Sequence, residues 1–519
     1  MYIVTDEKFE FEWPDASMAD LTWHWDRMHC PAPLPPLASA LEDAWTTAAF
    51  GAESLHVNGY SYMPDGGEAP PEPGADHPIA MSRAIAIWEE ERLPEVREVA
   101  RWLRDDSWKA MGAVELAGRL PEIYAENARA FALTMKSYDD VVPGLTAWLE
   151  FCAERWGRDG ASRGMTMLQG HSNATLGTGV ALEALADQIA GSELGELLLA
   201  GQFEAARTQP GAEEFWSAFD AYLAEQGWRL PTWMEIHTQT WAEDESIPLS
   251  MIRQYLAKPE GRPSAAAAKS ADVRAAAIAR AEADLADEAG HLERLRTLRE
   301  GATGYIAVVE GRALYQQMLT GSVRVPLLAL ARQLVETGSL RQPDDIFFLT
   351  VEEVQGATTD PDFDMRAEVM TRREQFNRWS QLIPPLTLGA PPGPPSPIGM
   401  LMSGKGLRPS EDSSVIKGFA ASAGTVQGIA RVISDPRELG RLEAGDILVC
   451  RFTAPTWTPA FAVAAAVVTD AGGILSHAAI AAREYALPAV VGTGVGTEQI
   501  ADGSRITVDG GQGLVRLES

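Results

Sequence analysis

The chemistry in this sequence is concentrated in one run, VVTDAGGILSHAAIAAREYALPAVVGT, from Val467 to Thr493. A strand-like segment, AAAVVTD, leads into Gly472-Gly473, and a helix begins around Ser476, so His477 falls in the first helical turn. Helix starts expose unpaired N–H groups and the positive end of the helix dipole, which favour negative charge. Ser476 can cap the helix or donate a hydrogen bond, and the glycines allow backbone amides to approach a phosphate closely. An imidazole held there is suited to attack phosphorus and to carry the resulting phosphoramidate. Histidines at helix starts also serve as caps or surface residues, so the surrounding pattern has to decide.

The elements that must position His477 are short and β-branched. GTVQGIARVIS, GDILVCRF, AAAVVTD, PAVVGT and SRITVDG are bounded by Gly, Asp or Pro and read as strands, with one short helix over Ser476 to Glu484. Residues 414–519 therefore form a compact α/β domain. Ahead of it, 384–413 hold eight prolines and several glycines, the composition of a semi-stiff tether.

Residues 1–383 read as a mainly helical domain. Met81 to Arg104, Val180 to Thr208, Glu213 to Gln226 and Ala265 to Arg299 carry Ala, Leu, Glu and Arg with apolar residues at helical spacing. Met63 to Pro78 reads as a loop within this domain. Fourteen of the 15 tryptophans precede Pro384, enough aromatic surface to line a pocket as well as fill a core. The whole is multidomain, a large helical part followed by a small α/β part, as 519 residues lead one to expect.

A net charge of -30 argues against nucleic acid or an anionic membrane as partner. Cys30, Cys152 and Cys450 are scattered, without metal-ligand spacing, so no metal site is expected and a reduced, cytoplasmic setting is. The N-terminus lacks the pattern of a signal peptide, and Phe461 to Val468 is too short to span a membrane.

Gly472, Gly473, Leu475, Ser476, His477, Ala478, Ala479, Ile480, Arg483, Glu484, Leu487, Pro488 and Gly492 fall in register with the mobile phosphohistidine domain of the enzymes that use phosphoenolpyruvate or run dikinase chemistry. Ala486 stands where that family usually has glycine. The resemblance extends through Gly445-Asp446-Ile447, Thr453-x-Pro455-x-Trp457 and Asp502-Gly503…Asp509-Gly510, and so covers 414–519. It implies that His477 is phosphorylated, with Gly472, Gly473, Thr453, Ser476 and Arg483 around the phosphate; the last three could equally serve the fold alone.

Within that superfamily the helical part resembles the acceptor-binding part of rifampin phosphotransferases and of two-component aryl dikinases such as phenylphosphate synthase. Leu168-Gln169-Gly170-His171-Ser172-Asn173, Gly227-Trp228-Arg229, Thr240-Trp241-x-Glu243-Asp244 and Leu340 to Val354 carry this resemblance. No P-loop or ATP-grasp pattern is visible, and a barrel domain for phosphoenolpyruvate is not expected.

The expectation is a dikinase subunit: a separate ATP-grasp subunit, holding ATP and Mg²⁺, loads His477, which passes the phosphoryl group to a small phenolic hydroxyl. Such transfer needs a base and cationic or N–H groups near the acceptor. His24, Asp26, His29, His171, Arg229 and His237 are candidates for substrate binding, each with a structural alternative. Asp344-Asp345 reads as a turn or cap, and His56, His77 and His291 receive no role. A non-aromatic alcohol or antibiotic as acceptor, or a phosphohistidine carrier with no chemistry of its own, are the competing readings.

Overall fold

The computed structural model describes residues 9–27, 29–64, 83–171, 174–257, 262–360, 363–393, 412, 414–454 and 457–518. His77, Ser172, Asn173, Pro455 and most of the tether lie outside these. The first part is built on β1 (Thr22–Trp25), α1 (Pro36–Phe50), β2 (Leu55–Val57), β3 (Tyr60–Pro64), α2 (Leu93–Leu103) and α3 (Leu120–Trp156). It continues with α4 (Ala174–Ile189), α5 (Glu213–Gln226), α6 (Ser246–Ala257), α7 (Pro263–Asp284), α8 (Ala289–Glu336) and β4 (Thr387–Gly389). No helix among the described residues is long and apolar enough to cross a membrane.

The two longest helices, α3 and α8, form the spine, and α1 packs on α3. Asn127 ties the three together: it accepts from the Trp45 indole at 2.6 Å and donates to the Leu319 carbonyl at 3.0 Å. Gly321 on α8 is required by close approach, because a Cβ there would come within 1.9 Å of the Trp228 carbonyl oxygen. The loop after α5 is thereby pressed onto α8. Buried Arg324 fixes it further, with a two-pronged pair to Glu243 at 2.8 and 2.6 Å and a 2.6 Å bond to the Ile236 carbonyl.

Glu213 to Gln226 is one helix, as the spacing suggests. Val180 to Thr208 is not: left-handed Gly191 and Gly201 split it into helices ending at Ile189, Leu199 and Arg207. Ala265 to Arg299 breaks between Asp284 and Ala289. Asp345 is a buried cap, accepting from the Arg341 and Gln342 amides.

The helical part also carries a small antiparallel sheet in the order β2-β3-β1-β4. Its last strand comes from the stretch read as tether. β4 pairs with β1, and the Tyr62 hydroxyl donates to the Pro385 carbonyl at 2.9 Å. Residues up to Ala390, whose amide bonds the Leu21 carbonyl, are thus held on this domain.

The C-terminal part holds β5 (Val415–Lys417), β6 (Phe419–Ser422), β7 (Thr425–Val432), β8 (Ile447–Cys450), α9 (Thr458–Val463), β9 (Ala466–Thr469), α10 (His477–Glu484), β10 (Ala489–Val491), β11 (Arg505–Asp509) and β12 (Leu514–Leu517). The eight strands order β5-β12-β11-β7-β8-β9-β10-β6, with β7 to β10 parallel. β8, β9 and β10 are buried throughout, which explains their unbroken apolar runs. The five strands read from the sequence are present; β5, β6 and β12 add to them.

Candidate functional site

β9 ends at Thr469, and seven residues later Ser476 caps α10, its Oγ accepting from the Ala479 amide at 3.4 Å. Gly472 has φ 100°, and a Cβ there would lie 2.7 Å from the Ser476 side chain, so the turn admits only glycine. Buried Arg483 donates from Nη1 to the Ile474 carbonyl at 2.7 Å and staples the turn to the helix.

His477 opens α10. Its ring hydrogen-bonds the Ala454 backbone, while Nε2 is buried with no partner among the described residues. Assigned from these contacts, Nδ1 carries the proton and Nε2 the free lone pair. Burial, aided by the nearby Arg229 guanidinium and opposed by the Ala454 bond, pushes its pKa down to about 4. The imidazole is therefore neutral and nucleophilic at physiological pH. Thr453 Oγ1, one residue before Ala454, is also buried without a partner.

The histidine domain is seated on the helical domain. Glu484, at the end of α10, accepts the Gly170 amide on both carboxylate oxygens, at 2.9 and 3.0 Å. Ser270 Oγ on α7 donates to the Arg483 carbonyl at 3.0 Å, and Gln254 on α6 to the Leu439 carbonyl at 3.4 Å. Ile474 and Leu475 join an apolar cluster with Met165, Met167 and Leu168. The Leu168-Gln169-Gly170 segment is therefore a docking loop. Gly170 suits it for two reasons: its φ is 70°, and a Cβ would meet the Ala271 amide at 2.6 Å.

Three of the candidates meet in one place. His24, Asp26 and His29 line a cavity of about 230 Å³ whose other walls include Trp25, Trp45, Phe50, Phe131, Met135 and Met234. Drug-sized sites run to roughly 300–1,000 Å³, so this one suits a small, largely apolar molecule. His29 Nδ1 sits 3.0 Å from both Asp26 oxygens. Burial lowers the His29 pKa, but the Asp26 carboxylate outweighs it and the net shift is upward. With Nδ1 engaged by Asp26, Nε2 is the ring nitrogen left to accept a proton.

Two features connect the cavity wall with the histidine domain. Burial lowers the pKa of Arg27, on the cavity wall, against the pull of Asp470 in the histidine domain. The loop after α5 runs from Arg229, beside His477, to Trp233, packed edge-on against His29 at 5.9 Å, and to Met234 in the cavity wall.

The remaining candidates lie elsewhere. His171 follows the docking loop, its pKa lowered by burial and by Arg274 and Arg299. His237, held neutral at about 3 by burial and by Arg324 and Arg373, lines a separate cleft of about 480 Å³ with Glu235, Arg451 and Trp457. Neither reaches the apolar cavity, because each is committed to a different packing layer. Sequence reading missed Arg27, Glu42 and Gln316 in the cavity wall and the docking role of Glu484. It also gave His56 no role, yet Glu42, Asp43 and His56 place ligand-type atoms within 4.8 Å of one another. Ser54, Ser61 and His56 already satisfy the Glu42 carboxylate, at 2.8, 3.0 and 3.0 Å, so the cluster is a hydrogen-bonded buttress behind the cavity.

Residues 442–513 match the family model for the mobile domain of PEP-utilising enzymes, and residues 137–306 that for the fourth domain of rifampicin phosphotransferase. A rifampicin phosphotransferase of a Streptomyces species is 32% identical over 88% of this chain and 52% of its own length. Chondramide synthase cmdD of Chondromyces crocatus is 27% identical over 99% of this chain but 14% of its own. A probable phosphoenolpyruvate synthase of Archaeoglobus fulgidus is 47% identical over 20% of this chain and 14% of its own. The chain spans about half the length of the rifampicin phosphotransferases it matches. Family models and relatives alike point to the PEP-utilising superfamily, with a resemblance to rifampicin phosphotransferase that runs through the helical part as well as the histidine domain.

Proposed function

We propose that this chain is the acceptor-binding and histidine-carrying part of an ATP-dependent dikinase that phosphorylates the hydroxyl of a small aromatic molecule. The observation that carries this reading is the seating of His477. Its Nε2 is buried without a partner among the described residues, and its ring feels the charge of Arg229, on the loop that continues to the wall of the apolar cavity holding Asp26 and His29.

Transfer then proceeds as follows. The acceptor oxygen attacks phosphorus, the P–N bond to His477 Nε2 breaks, and its electron pair returns to that nitrogen. His29 Nε2 takes the hydroxyl proton, and Asp26 stabilises the imidazolium so formed. Cationic Arg229 and Arg27 lie on the side where phosphoryl charge accumulates, the role such groups play in phosphoryl transfer. The apolar lining favours an aromatic body with one polar handle over a polyol.

Loading has to occur elsewhere. A histidine whose Nε2 is buried against the helical domain cannot meet a nucleotide without leaving it. The reading therefore places ATP and Mg²⁺ on an ATP-grasp subunit to which the histidine domain swings, with ATP consumed to AMP and phosphate and one phosphoryl group retained. Incubation with ATP, Mg²⁺ and that subunit should put an acid-labile, base-stable phosphate on His477. A label mapped to another residue, or full activity in His477→Ala, would overturn the reading.

A further inference from the structure

Arg229 is an unusual residue to bury. Its side chain is 1% exposed, yet no carboxylate pairs with it among the described residues. Nη2 donates to Thr178 Oγ1 and, at 3.1 Å, to Gln226 Oε1; Nε and Nη1 have no partner. The guanidinium lies over the Trp228 and Trp241 rings, 4.8 and 5.4 Å from their centroids, which only partly replaces a counter-charge. Burial pushes its pKa down to about 10, the mark of a desolvated cation.

Two more unsatisfied groups feel its charge. The Tyr222 hydroxyl is buried without a partner among the described residues and interacts electrostatically with Arg229. His477 Nε2, from the other domain, is the third: its ring meets Phe461 of α9 edge-on at 6.5 Å, α9 packs on α4, and α4 carries the Thr178 that Arg229 bonds. Orphaned buried polar groups are rare and costly, and here a cation, a hydroxyl donor and the nucleophilic nitrogen occur together at one junction. A dianionic phosphoryl group on Nε2 supplies what they lack: charge for Arg229 and acceptor oxygens for three donors.

We propose that Arg229, backed by Tyr222, is a phosphoryl-binding site of the helical domain that holds the histidine domain in place when His477 is phosphorylated and releases it once the phosphoryl group has gone. The proposal rests on the reading that His477 is phosphorylated. It deepens that reading by making the carrier's charge state the signal for the swing. Loaded, the domain docks at the acceptor; discharged, it leaves Arg229 uncompensated, and separation rehydrates the cation.

The Gly170 amide reports docking, because it donates across the junction to Glu484. The chain would be phosphorylated chemically with potassium phosphoramidate, the site mapped, and amide hydrogen exchange at Gly170 compared with that of unmodified chain. The expected result is exchange about tenfold slower or more in the phosphorylated protein, as new charge-assisted bonds imply. In Arg229→Gln this difference should vanish, with Arg229→Lys and Tyr222→Phe intermediate; exchange in the α3–α8 core reports whether each variant is folded. Failure of His477 to take up phosphate would sink the carrier reading and this proposal with it. Phosphorylation of His477 without any slowing of Gly170 exchange in the wild-type chain would overturn this proposal alone.

Discussion

Glu484 and Gly170 are 314 positions apart in the chain, yet both carboxylate oxygens of the first accept the backbone N–H of the second. The bond links the end of the histidine helix to the loop between α3 and α4; Glu484 is buried and Gly170 half-buried. Hydrogen bonds to charged groups contribute about 1.5–3 kcal/mol. Glu484→Gln keeps the shape and removes the charge, so docking should weaken by roughly one to two factors of ten. Single-turnover transfer from phospho-His477 to acceptor should slow by that factor, while loading keeps its rate. Equal slowing of both half-reactions would mean that Glu484 serves the histidine domain itself.

The Asp26–His29 pair predicts a pH profile. A general base works only when deprotonated, so kcat/KM should fall as pH drops through the His29 pKa, which Asp26 raises above its ordinary value. Asp26→Asn removes that support, so the acid limb should move to lower pH and the plateau rate should fall. His29→Gln should abolish the limb and cost about 10²–10⁴-fold in transfer. A limb unchanged in Asp26→Asn would assign it to another group.

Ala486 occupies the left-handed region, at φ 48°, just past the end of α10. Its resemblance to glycine in size conceals this cost, since a Cβ in that region is unfavourable by roughly 1–2 kcal/mol per residue. Part is recovered because alanine restricts the unfolded chain more than glycine does. Ala486→Gly should therefore stabilise the histidine domain by about 0.5–1 kcal/mol and raise its melting temperature by a few degrees. A fall in melting temperature by calorimetry would show that unfolded-state entropy dominates here.

The histidine domain was legible because its signals are local. Its buried strands are unbroken apolar runs, and the glycine turn, cap and histidine lie within Gly472 to His477. The apolar cavity was not, because its wall is assembled from His24 on β1, Trp45 on α1, Phe131 on α3 and Gln316 on α8. No spacing rule connects residues so far apart. His171 and His237 stand out in the sequence as polar residues among aromatic stretches, and packing sends them to other layers. The proline content that marked the tether also concealed β4, a three-residue strand whose order comes from pairing with β1.

That strand shortens the stretch whose composition reads as a tether, and with it the reach available to the proposed swing. Ala390 is held by bonds to Leu21 and Thr22, and β5 begins at Val415. The linking residues are therefore 391–414, which span at most about 75 Å at the ~3.1 Å per residue of a proline-rich chain. Removing ten residues between Pro391 and Met402 cuts that reach to about 45 Å. Seating on the acceptor side should survive, because Glu484, Ser270 and the apolar contacts of Ile474 and Leu475 do not depend on the tether. Reaching a separate ATP-binding subunit should not, since effective concentration collapses once a linker cannot span its sites. Loading should therefore slow much more than transfer, and multiple-turnover rate should follow loading. If the shortened chain turned over normally with its partner, His477 would be loaded where it sits, and the swing would have no role.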